Sequence, residues 1–167
     1  YLSGISWITN SLTFDENFKF LIPFALILIP LFLSLFVGLT TLFIGQYLKL
    51  DFPSLLIFTG SLAFSDYLRG NVLTGFPWNL WAYSTISINE ILQITNLIGL
   101  YSYNLFVITI FTLPIIYFFK ISKIKKIISF IVIFFIILTL YIYGNYEINK
   151  NKLALESVKE KAYIKII

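Results

Sequence analysis

The sequence predicts an all-α polytopic membrane protein, a bundle of helices that crosses a lipid bilayer several times. Of its 167 residues, 59% are hydrophobic and only 12% are charged, whereas a soluble domain carries about 25% charged residues to cover its surface. The mean hydropathy is +0.90, and long stretches contain no charge at all. Lipid is therefore the solvent that this composition fits.

Four stretches with few or no charges are predicted to span the membrane, because a spanning helix needs about 20 mostly apolar residues. They lie at about 21–48, 52–69, 91–119 and 127–143. A further stretch, 1–12, is expected to be the end of an earlier span. Since backbone groups in lipid must satisfy their own hydrogen bonds, even the Ile-rich fourth stretch is predicted to be helical.

The composition changes near the C-terminus, so two domains are predicted. Residues 1–146 form the transmembrane helical domain, and 147–167 form a polar linker that ends in the strand-like "AYIKII". A strand without partners is not stable. We therefore expect this tail to begin the first strand of an α/β domain that is missing after residue 167.

The lysines predict the orientation in the membrane. Four of them lie in 120–126, whereas the connection 70–90 contains no Lys or Arg. Positive residues favour the cytoplasmic side, so 70–90 and the tail are predicted to lie outside. The lysines of the tail argue against this assignment, unless the tail opens a folded external domain. The net charge of +4 gives no support for nucleic-acid binding.

The residue types that the chain lacks limit its chemistry. There is no Cys and no His, which excludes disulfides, thiolate nucleophiles, the usual zinc ligands and a Ser–His or Cys–His pair. The remaining carboxylates are scattered along the chain. We therefore predict no catalytic residue, no metal and no cofactor in this chain.

The polar stretch 64–84 interrupts the apolar surroundings. Asp66 and Arg69 are three residues apart, so they lie on one helix face and can pair. One interpretation is a charged helix end at the interface. The other is an intramembrane ion pair that holds a site together or meets a lipid phosphate, since ionisable groups in spans are often functional.

Helix-breaking and aromatic residues follow the ion pair. Gly75 frees the backbone, and Pro77 ends any helix at the preceding residue. Four aromatic side chains stand close together, namely Phe76, Trp78, Trp81 and Tyr83. They predict either an aromatic belt at the interface or a loop that lines a cavity. Asn104, in the third stretch, is interpreted by default as a packing residue between helices.

The segment "DYLRGNVLTGFPWNLWAYS" at 66–84 resembles the apolipoprotein N-acyltransferase family, whose pattern is close to E-[WF]-L-R-G-x-x-x-T-G-F-P-W-x-x-x-G-Y-S. Asp66 replaces the family's Glu and keeps the charge, and Ala82 replaces its Gly. The later "IGLYSYNLFV" resembles the next family segment, with Asn104 in register. Only the R-G-x3-T-G-F-P-W core is specific.

The resemblance implies a function in bacterial lipoprotein maturation. The family sets a nitrilase-like domain with a Glu–Lys–Cys triad on helices of the inner membrane. An acyl chain passes from a phospholipid donor to the Cys, and then to the α-amino group of a diacylglyceryl apolipoprotein acceptor. The connection 70–90 and the tail would be periplasmic. This chain alone would lack the catalytic domain and be inactive.

The resemblance also implies roles for the polar stretch. Phe76, Pro77, Trp78, Trp81 and Tyr83 would form a loop beside the lipid entrance, and Asp66, Arg69, Gly75 and Asn104 would support it. The alternative is a non-enzymatic polytopic piece of a transporter or scaffold, which would place polar residues near the midplane of its spans.

Overall fold

The computed structural model describes residues 6–72, 75 and 77–157, and all regular elements within these ranges are helical. The chain divides into two compact units, which are described separately. The first is Tyr1–Ser84 with Leu100–Ile121, and the second is Thr85–Gly99 with Ser122–Ile167.

The first unit is built on two consecutive helices that pack against each other, α1 (Ile22–Gly45) and α2 (Phe52–Asn71). Two 3-10 helices, Ser6–Thr13 and Glu16–Leu21, precede α1 and pack on it. The start of α2 is fixed by Asp51, whose Oδ1 accepts a hydrogen bond from the backbone N–H of Ser54 at 2.9 Å. Such a side-chain cap satisfies a helix N–H that has no partner within the helix.

In the described chain, two α-helices and two 3-10 helices lie between α2 and the last helix. They are α3 (Asn89–Leu92), α4 (Thr95–Thr112) and a 3-10 helix at Leu113–Phe118, with another 3-10 turn at Trp81–Thr85 before them. Helix α4 is interrupted at Gly99, whose φ of 76° and ψ of 166° are not helical. The part of α4 after Gly99 belongs to the first unit, where it contributes Tyr103, Asn104, Val107 and Ile108 to the buried core.

The second unit is dominated by α5 (Lys123–Glu156), against which α3 packs. The contact is close at Gly144, where a Cβ atom would lie 1.7 Å from the backbone oxygen of Glu90. A glycine is therefore required at this position of α5. The hydroxyl of Tyr141, one turn earlier, donates a hydrogen bond to Glu90 Oε1 at 3.5 Å.

Three segments of the described chain are long and apolar enough to cross a membrane, namely Glu16–Gly45, Thr95–Phe118 and Lys123–Glu156. Their most apolar windows are only 6%, 28% and 6% buried. Exposing so much apolar surface to water would be unfavourable, whereas lipid accommodates it. The prediction of an all-α membrane protein is therefore confirmed.

Two of the four predicted spans differ from the candidate spans of the structure. The stretch 52–69 is helical, but α2 is not among the candidate spans because Asp66, Arg69 and several hydroxyls lower its hydropathy. Its membrane crossing stays a prediction. The stretch 91–119 is not one helix, since the chain turns between α3 and α4 and again at Gly99.

The linker predicted to begin at 147 is helical as far as Glu156. The segment contains no Gly or Pro, and Glu147 lies 3.7 Å from the ammonium of Lys150 one turn on, which supports a helix in water. The predicted strand at 162–167 and the first five residues of the stretch 1–12 lie outside the described residues. The rest of that stretch belongs to the 3-10 helix Ser6–Thr13.

Candidate functional site

A buried set of three polar side chains, which we call the polar cluster, joins α2 to α4. Its members are Asp66, Arg69 and Asn104. Arg69 Nη2 lies 2.8 Å from Asp66 Oδ1, and the side chains of Arg69 and Asp66 are 0% and 4% exposed. Asn104, which is also fully buried, donates from Nδ2 to Asp66 Oδ2 at 2.8 Å. Each oxygen of the Asp66 carboxylate therefore accepts a hydrogen bond.

The polar cluster also holds the chain that follows α2. We call residues 75–84 the tryptophan loop, of which 76 lies outside the described residues. Arg69 Nη1 donates to the backbone oxygen of Trp78 at 2.5 Å. Asn104 Oδ1 accepts from the backbone N–H of Ala82 at 2.9 Å. The loop is thus attached to α2 at one point and to α4 at another, by side chains that are themselves buried.

Two glycines allow the backbone to fold back at the end of α2. A Cβ atom on Gly70 would lie 1.9 Å from the hydroxyl oxygen of Tyr101. Gly75 has a φ of +70°, and a Cβ atom there would lie 2.5 Å from the backbone oxygen of Gly70. Any other residue at Gly75 would meet both steric and conformational strain. Asn79 also has a positive φ, of 57°, which Asn tolerates better than most residues.

The attached loop leaves both of its tryptophan side chains half exposed. Trp78 and Trp81 are each 51% exposed. The Trp78 ring packs edge-on against Trp7 with 5.5 Å between ring centroids, and the Trp81 ring lies 6.2 Å from that of Phe111. Tyr83 donates its hydroxyl to the backbone oxygen of Pro77 at 3.3 Å. The loop is therefore an ordered aromatic surface with buried polar support.

The geometry limits what the polar cluster can do chemically. The guanidinium of Arg69 is fully buried and engaged with Asp66 and Trp78, so it does not reach a lipid phosphate. Opposite charges at this distance neutralise each other, and separating them in a low-dielectric interior is costly. No group of acidic residues that could hold a metal ion occurs in the part of the chain that the structure describes. The cluster is suited to holding the loop in place.

The structure brings together most of the residues that the sequence singled out. The predicted pair of Asp66 and Arg69 is confirmed as a buried ion pair. Asn104 is more than a packing residue, because it bridges Asp66 and the tryptophan loop. The predicted loop residue Phe76 lies outside the described residues.

Sequence reasoning missed the contact of Trp7 with Trp78 and that of Tyr101 with Gly70. Both join residues far apart in the chain, and no local pattern in the sequence predicts them.

These features define a polytopic helical membrane protein whose loop after the second helix is held by buried polar side chains. Comparison with known proteins identifies the family to which this membrane protein belongs. Residues 1–113 match the family described as Apolipoprotein N-acyltransferase N-terminal domain, and the chain belongs to this family. The match supports the enzyme family over the transporter or scaffold.

Bacterial relatives named "Apolipoprotein N-acyltransferase" also match the chain. The one from Rhodopseudomonas palustris is 31% identical over 115 residues, which is 68% of this chain and 22% of the relative. The one from Rickettsia bellii is 32% identical over 113 residues, which is 67% of this chain and 22% of the relative. The matched segment thus covers less than a quarter of these relatives. No solved structure matches the chain.

Proposed function

We propose that this chain is the membrane part of an enzyme that transfers an acyl chain from a phospholipid to the N-terminal diacylglyceryl-cysteine of lipoproteins. The family membership supports the proposal. The chain has no Cys, so the thiol that would carry the acyl chain as a thioester must come from elsewhere in the complete protein. We assign no catalytic residue to the described helices, and the isolated chain would be inactive.

The single observation that carries the proposed role is the attachment of the tryptophan loop. Arg69 and Asn104 hold its backbone at Trp78 and Ala82, while the side chains of Trp78 and Trp81 stay half exposed. Tryptophan has an apolar ring and a polar N–H, which suits the boundary between lipid and water. Trp78, Trp81, Tyr83 and Pro77 would form the rim through which a lipid reaches the active site.

The test is Trp78→Ala in the complete protein. Removing a half-exposed indole from a lipid contact removes about 1.5 kcal/mol of apolar contact, so acyl transfer should fall about tenfold. Phe118→Ala is the matched control, because Phe118 is 67% exposed and lies outside the loop. If both variants have equal activity at equal expression, the loop serves only to anchor the protein at the membrane interface.

We further propose that the protein lies in the bacterial inner membrane with the tryptophan loop on the periplasmic side. Because this chain has no native Cys, a single Cys can be introduced as a probe, in a complete protein whose other thiols are replaced. A membrane-impermeant maleimide added to spheroplasts should label Ser84→Cys and leave Lys123→Cys unlabelled. The reverse pattern would place the loop in the cytoplasm.

A further inference from the structure

A second candidate site lies at the opposite end of α2 from the polar cluster. A cavity of about 360 Å³ opens there between the start of α2 and the 3-10 helix that follows α4, with Leu55, Phe58 and Ile115 among its walls. The stretch from Ser54 to Arg69 covers 15 residues of helix, or about 22 Å. The cavity is therefore well separated from the tryptophan loop.

The cavity continues along the helices rather than ending at a wall. A second cavity of about 210 Å³ shares two lining residues with it, Phe58 and Thr112, and extends past Leu62 to Trp81. We call the two together the apolar groove. From Ser54 to Leu62 the groove follows eight residues of α2, or about 12 Å. One leaflet of the hydrocarbon core is about 15 Å deep, so the groove has the length of a membrane-embedded acyl chain.

The wide end of the groove lies at a membrane boundary. Two candidate spans end there, one at Gly45 and the other at Phe118, and the next residue, Phe119, lines the cavity. Lys49 also lines the cavity and is exposed. Its side chain forms no ion pair within 4.0 Å among the described residues. A single ammonium at the mouth of an apolar groove matches an anionic head group above one acyl chain.

We infer that the apolar groove binds one acyl chain of an anionic phospholipid from the leaflet next to Lys49, with the head group at the Lys49 ammonium. The head-group end of the groove at Lys49 lies far from the tryptophan loop, although the narrow end of the groove reaches Trp81. The inference depends only on the chain being a membrane protein. A long ammonium side chain at the interface attracts anionic lipid by about fivefold. The groove supplies the apolar part of the affinity, and Lys49 supplies the preference for the head group.

The test is photo-crosslinking in the complete protein, reconstituted with phosphatidylglycerol or phosphatidylcholine that carries a diazirine on one acyl chain. Crosslinked peptides are mapped by mass spectrometry. We expect phosphatidylglycerol to label the peptides that contain Phe58 and Thr112 about fivefold more than phosphatidylcholine does. Lys49→Gln should remove that preference. Lys120→Gln, which changes an exposed lysine outside the groove, should keep it.

A second pair of variants tests the groove itself. Ile115→Trp fills the wide cavity and should abolish labelling at Phe58 by both lipids. Leu56→Trp adds the same ring to α2 at a position that is 62% exposed and outside the groove, and should label normally. Unfolding temperatures measured in detergent report that each variant is folded. Equal labelling by the two lipids, or unchanged labelling in Lys49→Gln, would overturn the inference.

Discussion

The two ends of α2 carry the same kinds of charge in very different surroundings. At the start of the helix, Lys49 is exposed and Asp51 caps the first turn through one hydrogen bond to Ser54. At the other end, Asp66 and Arg69 are 3% and 2% exposed. There the carboxylate has two partners, one of them Asn104, which lies 38 residues further along the chain. A charge is buried where distant residues supply its hydrogen bonds, and stays at the surface where only local ones do.

The difference predicts different sensitivities to mutation. Removing one member of a buried ion pair leaves an uncompensated charge in a low dielectric. When an exposed charged side chain is removed, water solvates the groups that it contacted. The largest effects should therefore occur at the end of α2 that holds the tryptophan loop.

Arg69→Leu should have the largest effect. It leaves the Asp66 carboxylate buried without its counter-ion and removes the bond to the Trp78 backbone oxygen, which together should cost about 3–5 kcal/mol. Thermal unfolding in detergent, followed by tryptophan fluorescence, measures the loss. The double variant Asp66→Leu/Arg69→Leu should be less destabilised than the single one, because no charge is then left unpaired. A double variant that is worse than both singles would contradict the ion-pair explanation.

Asn104→Leu should have the next largest effect. The leucine leaves the backbone N–H of Ala82 and one oxygen of Asp66 without a partner, and an unsatisfied buried group costs about 1–3 kcal/mol. The tryptophan loop should also loosen, which a shift in the emission of Trp81 would report. Asn96→Leu on the same helix is the control, since Asn96 is exposed and should tolerate the change. Equal losses in both variants would mean that Asn104 has no special role.

Gly70→Ala should have a smaller effect, because two terms oppose each other. The new Cβ atom would lie 1.9 Å from the Tyr101 hydroxyl oxygen, an overpacking that costs about 1–3 kcal/mol. Alanine also favours the helix by about 1 kcal/mol. The net loss should be about 1 kcal/mol, measured as a lower unfolding temperature.

Two companion variants test that explanation. Tyr101→Phe removes the clashing oxygen and should rescue Gly70→Ala in part. Gly60→Ala, on the same helix, meets no atom within 4 Å and should stabilise the protein. A stabilising Gly70→Ala would show that Tyr101 moves aside freely.

The sequence predicted those features of α2 and its neighbours that depend on local sequence pattern. Apolar runs predicted the helices, and the spacing of Asp66 and Arg69 predicted their pairing, because both follow from the geometry of one helix. The role of Asn104 depends on how α4 packs against α2, which no local pattern contains. The break at Gly99 has a local signal in the glycine, yet a glycine within an apolar run is also compatible with a continuous helix.

The last prediction concerns the exposed end of α2 and is the smallest. The Ser54 hydroxyl, and after it the Ser54 backbone N–H, lower the pKa of the Asp51 carboxyl from its ordinary value of 3.8. A carboxyl whose pKa is lower in the folded state contributes stability above the unfolded pKa and loses it as the pH falls through the folded one. The contribution of Asp51 should therefore be complete above about pH 4 and disappear below that range.

Asp51→Asn separates this charge effect from the cap. Asn caps a helix about as well as Asp does but does not titrate, so the variant should match the unaltered protein at low pH and be slightly less stable at neutral pH. Asp51→Ala, which loses the cap as well, should be less stable than Asp51→Asn at every pH. Unfolding temperatures measured at pH 3 and pH 7 decide the matter. If the gap between the unaltered protein and Asp51→Asn is the same at both values, the charge of Asp51 does not stabilise α2.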